Sequence, residues 1–236
     1  MPSWEFPGHD PIDLQVRIPA GDIAVSAAAT QATTVTLDGS DRTLAATRVE
    51  FDGGTLLIVV PDQSGLSRDG SLDALIELPA GSSCRIHTAS AGVRCTGELA
   101  ALDVHTASGD VSAERVSGQA RVDTASGDVS LDTAAEAEVE SASGDVQIGQ
   151  VSGGVAVRTA SGDVQIEAAS GHRTDINAAS GDISVGVAPG IGVYLELSSL
   201  SGTVSSELEP SEQTEGPDMT LQCRTISGDV RISRAA

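Results

Sequence analysis

A six-residue phrase, T-A-S-G-D-V, recurs through the second half of the chain, at residues 106–111, 124–129 and 159–164. Variants of the phrase continue the same rhythm, with their serines at residues 90, 108, 126, 143, 161, 180, 201 and 227. The steps between these serines are 18, 18, 17, 18, 19, 21 and 26 residues. A period near 18 residues indicates a repeat architecture, in which each unit buries its apolar face against its neighbours.

Each repeat divides into two short strands. Apolar residues alternate with polar ones after each S-G-D corner, as in Val129/Leu131, and again before the next corner, as in Val122/Thr124. Alternation of this kind is typical of half-buried β-strands, and the corner glycine fits a tightly bent backbone. The pattern predicts an all-β fold, a β-solenoid or single-stranded β-helix with about 18 residues per coil and like residues stacked about 4.8 Å apart. A meander of hairpins is the alternative, but it does not require the same residue at every second corner.

Residues 1–83 show strand patterns without the S-G-D phrase. They contain a related corner, P-A-G-D-I, at residues 19–23. We therefore expect residues 1–83 to form a less regular β-rich cap, continuous with a solenoid over residues 84–236, because an open solenoid end exposes apolar surface and unpaired strand edges. Loops are expected at residues 39–47, 61–70 and 209–217, and helix is expected to be minor.

Charge and composition restrict the function. The net charge is −21, the chain contains no lysine, and only four residues are aromatic. An acidic surface disfavours nucleic acid, which requires a basic footprint, and few aromatic side chains are present to form stacking platforms. No segment is long and apolar enough to insert into a membrane, and the sequence begins without the basic and apolar segments of a secretory signal. We expect a cytoplasmic protein.

The three cysteines, Cys84, Cys95 and Cys223, form no C-x-x-C pair. The repeat register places all three on inward columns: Cys84 beside Leu102, Cys95 beside Ala113, and Cys223 in the column of Val104. The main interpretation is that they are small buried apolar residues in a reducing compartment. The alternative is a disulfide between Cys84 and Cys95, which flank one corner.

The corner aspartates are the first candidate site. In a solenoid, five of them would form one row along an edge, and Asp229 belongs to a later corner. The five are Asp110, Asp128, Asp145, Asp163 and Asp182. Neighbouring carboxylates repel each other, so either backbone N–H groups bind them as in turn-capping motifs, or a cation such as Ca²⁺ lies between the coils. One carboxylate per corner provides few of the six to eight oxygens that Ca²⁺ prefers, which favours capping.

An outward column, three residues before each corner serine, is the second candidate site. It contains His87, His105 and Asp123, followed by Glu140, Arg158 and Asn177. Two stacked imidazoles and a carboxylate are suitable ligands for Zn²⁺ or Ni²⁺. The alternative, which we favour, is a solvated face on which opposite charges pair along the stack, as in Glu140 with Arg158.

The S-G-D corners, the P-A-G-D-I-A-V segment and the strand F-D-G-G-T-L-L-I-V-V-P at residues 51–61 together resemble a bacterial family of β-strand-repeat proteins. The family is common in actinobacteria, its function is unknown, and its members are called adhesins because of their repeats. It is similar to the toastrack-type domains of envelope-stress systems. The resemblance extends from about residue 10 to residue 232. It implies the repeat fold and provides no catalytic motif.

These observations favour a protein that is not an enzyme. The serines and aspartates belong to the repeat, and no nucleophile elbow or phosphate loop is present. The predicted function is a structural or protein-interaction scaffold that binds a protein partner or another copy of itself, without a cofactor. The alternatives are a Ca²⁺-binding repeat module that uses the aspartate row, and a solenoid that assembles end to end.

Overall fold

The computed structural model describes residues 1–61, 71–208 and 218–235, which form strands joined by tight corners and contain one short helix. The loops predicted at residues 61–70 and 209–217 lie outside the described residues, apart from Pro61. The elements are β1 (Ser3–Pro7), β2 (Asp13–Arg17), β3 (Ala20–Ala28), β4 (Ala32–Gly39), α1 (Asp41–Ala46), β5 (Arg48–Asp52), β6 (Thr55–Val59), β7 (Leu72–Pro79), β8 (Ser83–His87), β9 (Ser90–Leu99), β10 (Ala101–Thr106), β11 (Val111–Ser126), β12 (Val129–Ser143), β13 (Val146–Val151), β14 (Val155–Ser161), β15 (Val164–Ala169), β16 (Arg173–Ser180), β17 (Ile183–Val187), β18 (Val193–Ser201), β19 (Val204–Ser206), β20 (Met219–Ser227) and β21 (Val230–Arg234).

Parallel pairing arranges the strands in two rows that face each other across a single core. In the first row the order is β5–β6–β2–β8–β10–β11–β12–β14–β16–β20–β18. In the second row it is β1–β4–β7–β3–β9–β11–β12–β13–β15–β17–β21–β19. β11 and β12 run through both rows, which joins them into one continuous sheet. The predicted all-β solenoid is confirmed, and the hairpin meander is wrong because consecutive repeats pair in parallel.

The core consists of inward columns that repeat every coil. Val111, Val129, Val146 and Val164 are neighbours in one column, and each is at most 1% exposed. The facing column of the first row contains Val104, Val122, Val139, Val157, Ile176 and Cys223. Each apolar side chain therefore contacts equivalents in the coils above and below it, so burial is shared along the whole stack.

Near each end of the solenoid, the order of the coils in the stack differs from their order in the sequence. The coil of β2 and β3 lies between the coil of β6 and β7 and the coil of β8 and β9. At the other end, the coil of β20 and β21 lies between the coil of β16 and β17 and the coil of β18 and β19. Each of these two coils is thus hydrogen-bonded on both sides, whereas β18 and β19 form the outermost coil at the C-terminal end of the stack.

Antiparallel strands and aromatic side chains close the N-terminal end. β4 pairs antiparallel with β7 and with β1, and β5 pairs antiparallel with β6. The rings of Phe6 on β1 and Phe51 on β5 stack with centroids 5.0 Å apart, so they link the ends of the two rows. The loop expected at residues 39–47 is wrong, because Asp41–Ala46 form a helix whose first turn is capped by the Ser40 side chain at the Thr43 N–H.

The corner glycines set how closely the coils approach. Gly144 and Gly162 have φ angles of 131° and 133°, values that side chains rarely adopt. A Cβ at Gly144 would overlap the carbonyl oxygen of Gly127, and a Cβ at Gly162 would overlap that of Gly144. Glycine is therefore required at this corner for two reasons: the backbone φ angle is positive, and the adjacent coil leaves no space for a Cβ.

We predict that Gly144→Ala lowers the free energy of unfolding by on the order of 3 kcal/mol, since it adds both backbone strain and an overlap with backbone that cannot move aside. Urea unfolding followed by circular dichroism measures this. Gly154→Ala is the matched control, because no atom lies within 4 Å of its Cβ position. Equal effects of the two substitutions would contradict the corner geometry.

Candidate functional site

The corner aspartates form a ladder of hydrogen bonds along one edge of the solenoid. The Oδ1 atom of each aspartate accepts the backbone N–H of the aspartate in the next coil. The N–H to Oδ1 pairs are Asp128 to Asp110 (3.0 Å), Asp145 to Asp128 (2.9 Å), Asp163 to Asp145 (2.9 Å), Asp182 to Asp163 (2.8 Å) and Asp229 to Asp182 (2.8 Å). A carboxylate that accepts a backbone N–H forms a charge-assisted hydrogen bond, which offsets part of the repulsion within the row.

The row is longer than the sequence predicts. Asp229 lies directly beside Asp182, because the coil of β20 and β21 is inserted next to the coil of β16 and β17. The N-terminal region repeats the same bond, with the N–H of Asp22 donating to Oδ1 of Asp73 at 2.9 Å. The position of Asp22 could be predicted from the P-A-G-D-I corner. The position of Asp229 could not, because the repeat pattern does not predict the order in which the coils pair.

These contacts are those of the capping interpretation. One oxygen of each carboxylate is occupied by a backbone N–H, and the residues that the structure describes contain no group of three or more His, Cys, Asp or Glu side chains able to hold a metal ion. The Ca²⁺ alternative therefore depends on single carboxylate oxygens from neighbouring corners, whereas Ca²⁺ prefers six to eight oxygen ligands.

We predict that Asp145→Ala destabilises the protein by about 1 kcal/mol, because the N–H of Asp163 loses its acceptor. Asp145→Asn keeps an acceptor oxygen and removes one charge from the row, so it should be neutral or stabilising at low ionic strength. Thermal melts in low and high salt distinguish the two effects.

The same melts test for a cation. With wild-type protein, millimolar CaCl₂ should change the melting temperature no more than NaCl of equal ionic strength. A rise specific to Ca²⁺ that Asp128→Asn combined with Asp145→Asn abolishes would show that the row binds the ion.

The outer face of the first row carries paired charges. Arginine and carboxylate side chains in adjacent coils are in contact, namely Arg85 with Asp103 (3.3 Å), Arg121 with Glu138 (3.2 Å), Arg158 with Glu140 (2.6 Å) and Arg224 with Glu196 (2.7 Å). The pair predicted between Glu140 and Arg158 is thus present. These side chains are largely exposed, so each pair contributes little to stability, and their effect is to neutralise the face.

The predicted histidine column is present in register. His87 and His105 are direct neighbours, followed by Asp123. Their rings are parallel within 4°, with centroids 4.9 Å apart. The ring nitrogens of His105 face two carboxylates, with Nε2 3.2 Å from Asp103 and Nδ1 3.5 Å from Asp123. The lone pairs of parallel rings do not converge on one point, so this arrangement does not support a shared Zn²⁺ or Ni²⁺ ion.

The surroundings lower the pKa of His87 from its ordinary value of 6.5. Partial burial is the largest cause, followed by the neighbouring ring of His105 and the guanidinium of Arg17, while Asp103 acts in the opposite direction. The folded protein therefore binds a proton at His87 less readily than the unfolded chain does.

This shift makes a prediction for stability against pH. As the pH falls below about 6.5, the unfolded chain gains a proton at His87 that the folded protein resists, so the free energy of unfolding decreases. His87→Asn should make the loss of stability between pH 7.5 and pH 5.5 shallower, which urea unfolding at each pH measures. An unchanged pH dependence in the variant would contradict the assignment.

A shallow groove follows the solenoid axis beside the histidine column. We define the axial groove as the channel between this outward column and the exposed corner alanines Ala89, Ala107, Ala125, Ala142 and Ala160, with the threonine column beneath it. One stretch of about 520 Å³ is lined by four consecutive corners, from Thr106 to Ala160. A second stretch of about 510 Å³ is lined by the same columns in the N-terminal coils, including His87, Thr88 and Ala89. Sequence reasoning missed this groove, although the small T-A step of each repeat, beside a long polar side chain, was its signal.

The alanine column ends in larger residues. Ile226 and Leu200 occupy its last two positions at the C-terminal end and are 57% and 84% exposed. Exposed apolar side chains that adjoin each other mark surfaces that contact other molecules more often than single ones do. The groove therefore opens onto an apolar patch.

The cysteines occupy the predicted inward columns and are unlinked. Cys84 pairs in register with Leu102, Cys95 with Ala113, and Cys223 lies in the column of Val104. Burial raises the pKa of both Cys95 and Cys223 to about 12, so these thiols are protonated and unreactive at neutral pH.

Comparisons with known proteins point to one family and one fold. The model of a family described as Toastrack DUF4097 matches residues 9–234. A crystal structure from Bacteroides fragilis, described as that of a candidate adhesin, has a TM-score of 0.63 at 14% identity and covers 98% of this chain and 95% of its own. One from Parabacteroides distasonis, described as a candidate lipid-binding protein, has a TM-score of 0.58 at 14% identity and covers 100% of this chain and 96% of its own. At such identities these likenesses show the fold alone. No curated protein matches the sequence.

The described residues include no helix with the length and apolar character needed to cross a membrane.

Proposed function

We propose that this chain, which belongs to the Toastrack DUF4097 family, is a non-enzymatic scaffold that binds a protein partner along its axial groove. The observation that carries the proposal is the continuity of the groove, since the same three columns line it in successive coils. A solenoid presents such a surface without any loop insertion, because each coil adds one more copy of the same side chains.

The surface has the composition of an interaction site. Its alanine edge is small and apolar, and its floor consists of small threonine and serine side chains. Its other edge carries Asp123, Glu140 and Arg158, and its C-terminal end bears Ile226 and Leu200. Polar side chains around an apolar strip are typical of protein interfaces of moderate affinity. The two structures of similar fold are described as those of a candidate adhesin and a candidate lipid-binding protein, and the first description agrees with protein contact.

Substitution of exposed alanines tests the proposal. Ala125→Arg combined with Ala142→Arg fills the groove with two long side chains while leaving the core intact, so the melting temperature should remain close to that of the wild type. Binding of a protein captured from cells of the source organism should fall by roughly tenfold or more. Light scattering of the wild type shows whether the partner is a second copy.

Ser130→Arg combined with Gln147→Arg is the matched control, since it adds the same charge to the outer face of the second row, away from the groove. Capture that both double variants reduce equally would reflect charge alone, and capture that neither reduces would place the interface elsewhere. Either result would overturn the proposal.

We also propose that the protein acts in the cytoplasm. Three buried, unlinked thiols suit a reducing compartment, where disulfides are rare. Detection of the native protein in the cytosolic fraction of its source cells, and not in the secreted fraction, tests this location.

A further inference from the structure

The N-terminal end of the axial groove differs from the rest in having apolar walls. This stretch has a volume of about 510 Å³. Its apolar lining comes from the end of β6, from the corner after β2 and from the corner after β8. Pro19, Val59 and Ala89 are accessible there, and the buried Ile18 and Val60 lie beneath them. Arg17 and His87 form its polar edge.

Arg17 is an exposed cation with no carboxylate within 4 Å among residues 1–61, 71–208 and 218–235. The other arginines of the same outer face all have such a partner, at distances of 2.6 to 3.7 Å; they are Arg48, Arg85, Arg121, Arg158, Arg173 and Arg224. In a chain of net charge −21, a guanidinium beside an apolar groove without a carboxylate is the exception on this face. A guanidinium in this position can form a charge-assisted contact with an anion of a partner.

His87 completes the polar edge. It is the register neighbour of Arg17, and its ring stacks on His105, whose nitrogens face Asp103 and Asp123. Neither carboxylate lies within 4 Å of a His87 nitrogen. Because its pKa is lowered, His87 is neutral at neutral pH and carries one N–H, which adds a second donor beside the guanidinium.

We propose that this end of the groove binds the C-terminal carboxylate of a partner protein whose last side chain is apolar. Arg17 holds the carboxylate, and Pro19, Val59 and Ala89 contact the side chain. A C-terminal residue suits the site because its carboxylate and its side chain share one Cα, so one residue reaches both the cation and the apolar wall. This proposal rests on the proposed function and adds the chemistry of the partner.

The remaining groove favours a peptide over a fatty acid. Beyond His87 its edge continues with His105, Asp123, Glu140 and Arg158, which are suitable partners for peptide groups and polar side chains. An acyl chain bound by its carboxylate at Arg17 would instead lie against these charged groups and desolvate them.

Titration of the full-length protein with a small probe tests the assignment. The probe is N-acetyl-Ala-Ala-Ala-Leu with a free C-terminal carboxylate, and the readout is the backbone amide shifts of Ile18, Val60 and Ala89 in ¹⁵N NMR spectra. We expect saturable shifts at these positions. Arg17→Gln should weaken the affinity roughly tenfold or more, since it removes a charge-assisted contact, and amidation of the probe's carboxylate should do the same.

Arg94→Gln is the matched control, because Arg94 is an exposed arginine on the outer face of the second row. It should leave the affinity for the probe unchanged. Absence of saturable shifts, equal binding of the amidated probe, equal binding by the Arg17→Gln variant, or binding of laurate but not of the peptide would each overturn the proposal.

The experiment also separates this proposal from the function it rests on. If the groove variants with Ala125→Arg and Ala142→Arg lose their partner while Arg17→Gln retains it with unchanged affinity, the scaffold stands and the carboxylate assignment is wrong. If the tetrapeptide binds at Arg17 but the alanine variants still capture the partner, the carboxylate site stands and the interface does not follow the groove.

Discussion

The close approach of one corner glycine to the next is the contact on which the rest of the structure depends. The carbonyl oxygen of each corner glycine occupies the space that a Cβ on the corner glycine of the next coil would need. This approach allows the backbone N–H of one aspartate to reach the carboxylate of its neighbour at 2.8 to 3.0 Å. The alanine and serine before the glycine are carried to the outside by the same corner, so the groove edge follows from the glycine as well.

The interleaved end coils address a weakness of solenoids. A terminal coil that is paired on one side only would separate easily, because its stability comes from one interface. Here the coil of β2 and β3, near the N-terminus of the chain, and the coil of β20 and β21, near its C-terminus, are each paired on both sides. The outermost coils are instead formed by internal segments of the chain. Each of these segments is connected covalently at both of its ends to the rest of the protein. Such an arrangement requires contacts between residues far apart in sequence, so folding is expected to be slower than sequential stacking.

The sequence predicts the coil and its columns well but not the order of the coils. Periodicity fixes which residue lies beside which within a run of equal repeats, and it placed His87, His105 and all three cysteines correctly. The coils that begin near residues 193 and 219 carry equivalent corners, Ser201 and Ser227, so nothing in the pattern states that the later one is inserted first. The groove is missed for a different reason: it lies over small alanine, threonine and serine residues, and a column of small residues forms a channel only where the neighbouring columns carry longer side chains.

The charges of this acidic chain are divided between two surfaces that behave differently. On the outer face of the first row, arginine side chains pair with carboxylates of neighbouring coils, each through one guanidinium nitrogen. At the corner, the carboxylates are held by backbone N–H groups and keep their net charge. The axial groove lies between the neutralised face and the charged corner. A partner that enters it need not break either ladder, because neither the arginine pairs nor the aspartate bonds cross its floor. Among the residues that the structure describes, Arg17 is the one arginine of this face without a carboxylate within 4 Å, so the chemistry of the groove changes at that end rather than in its repetitive middle.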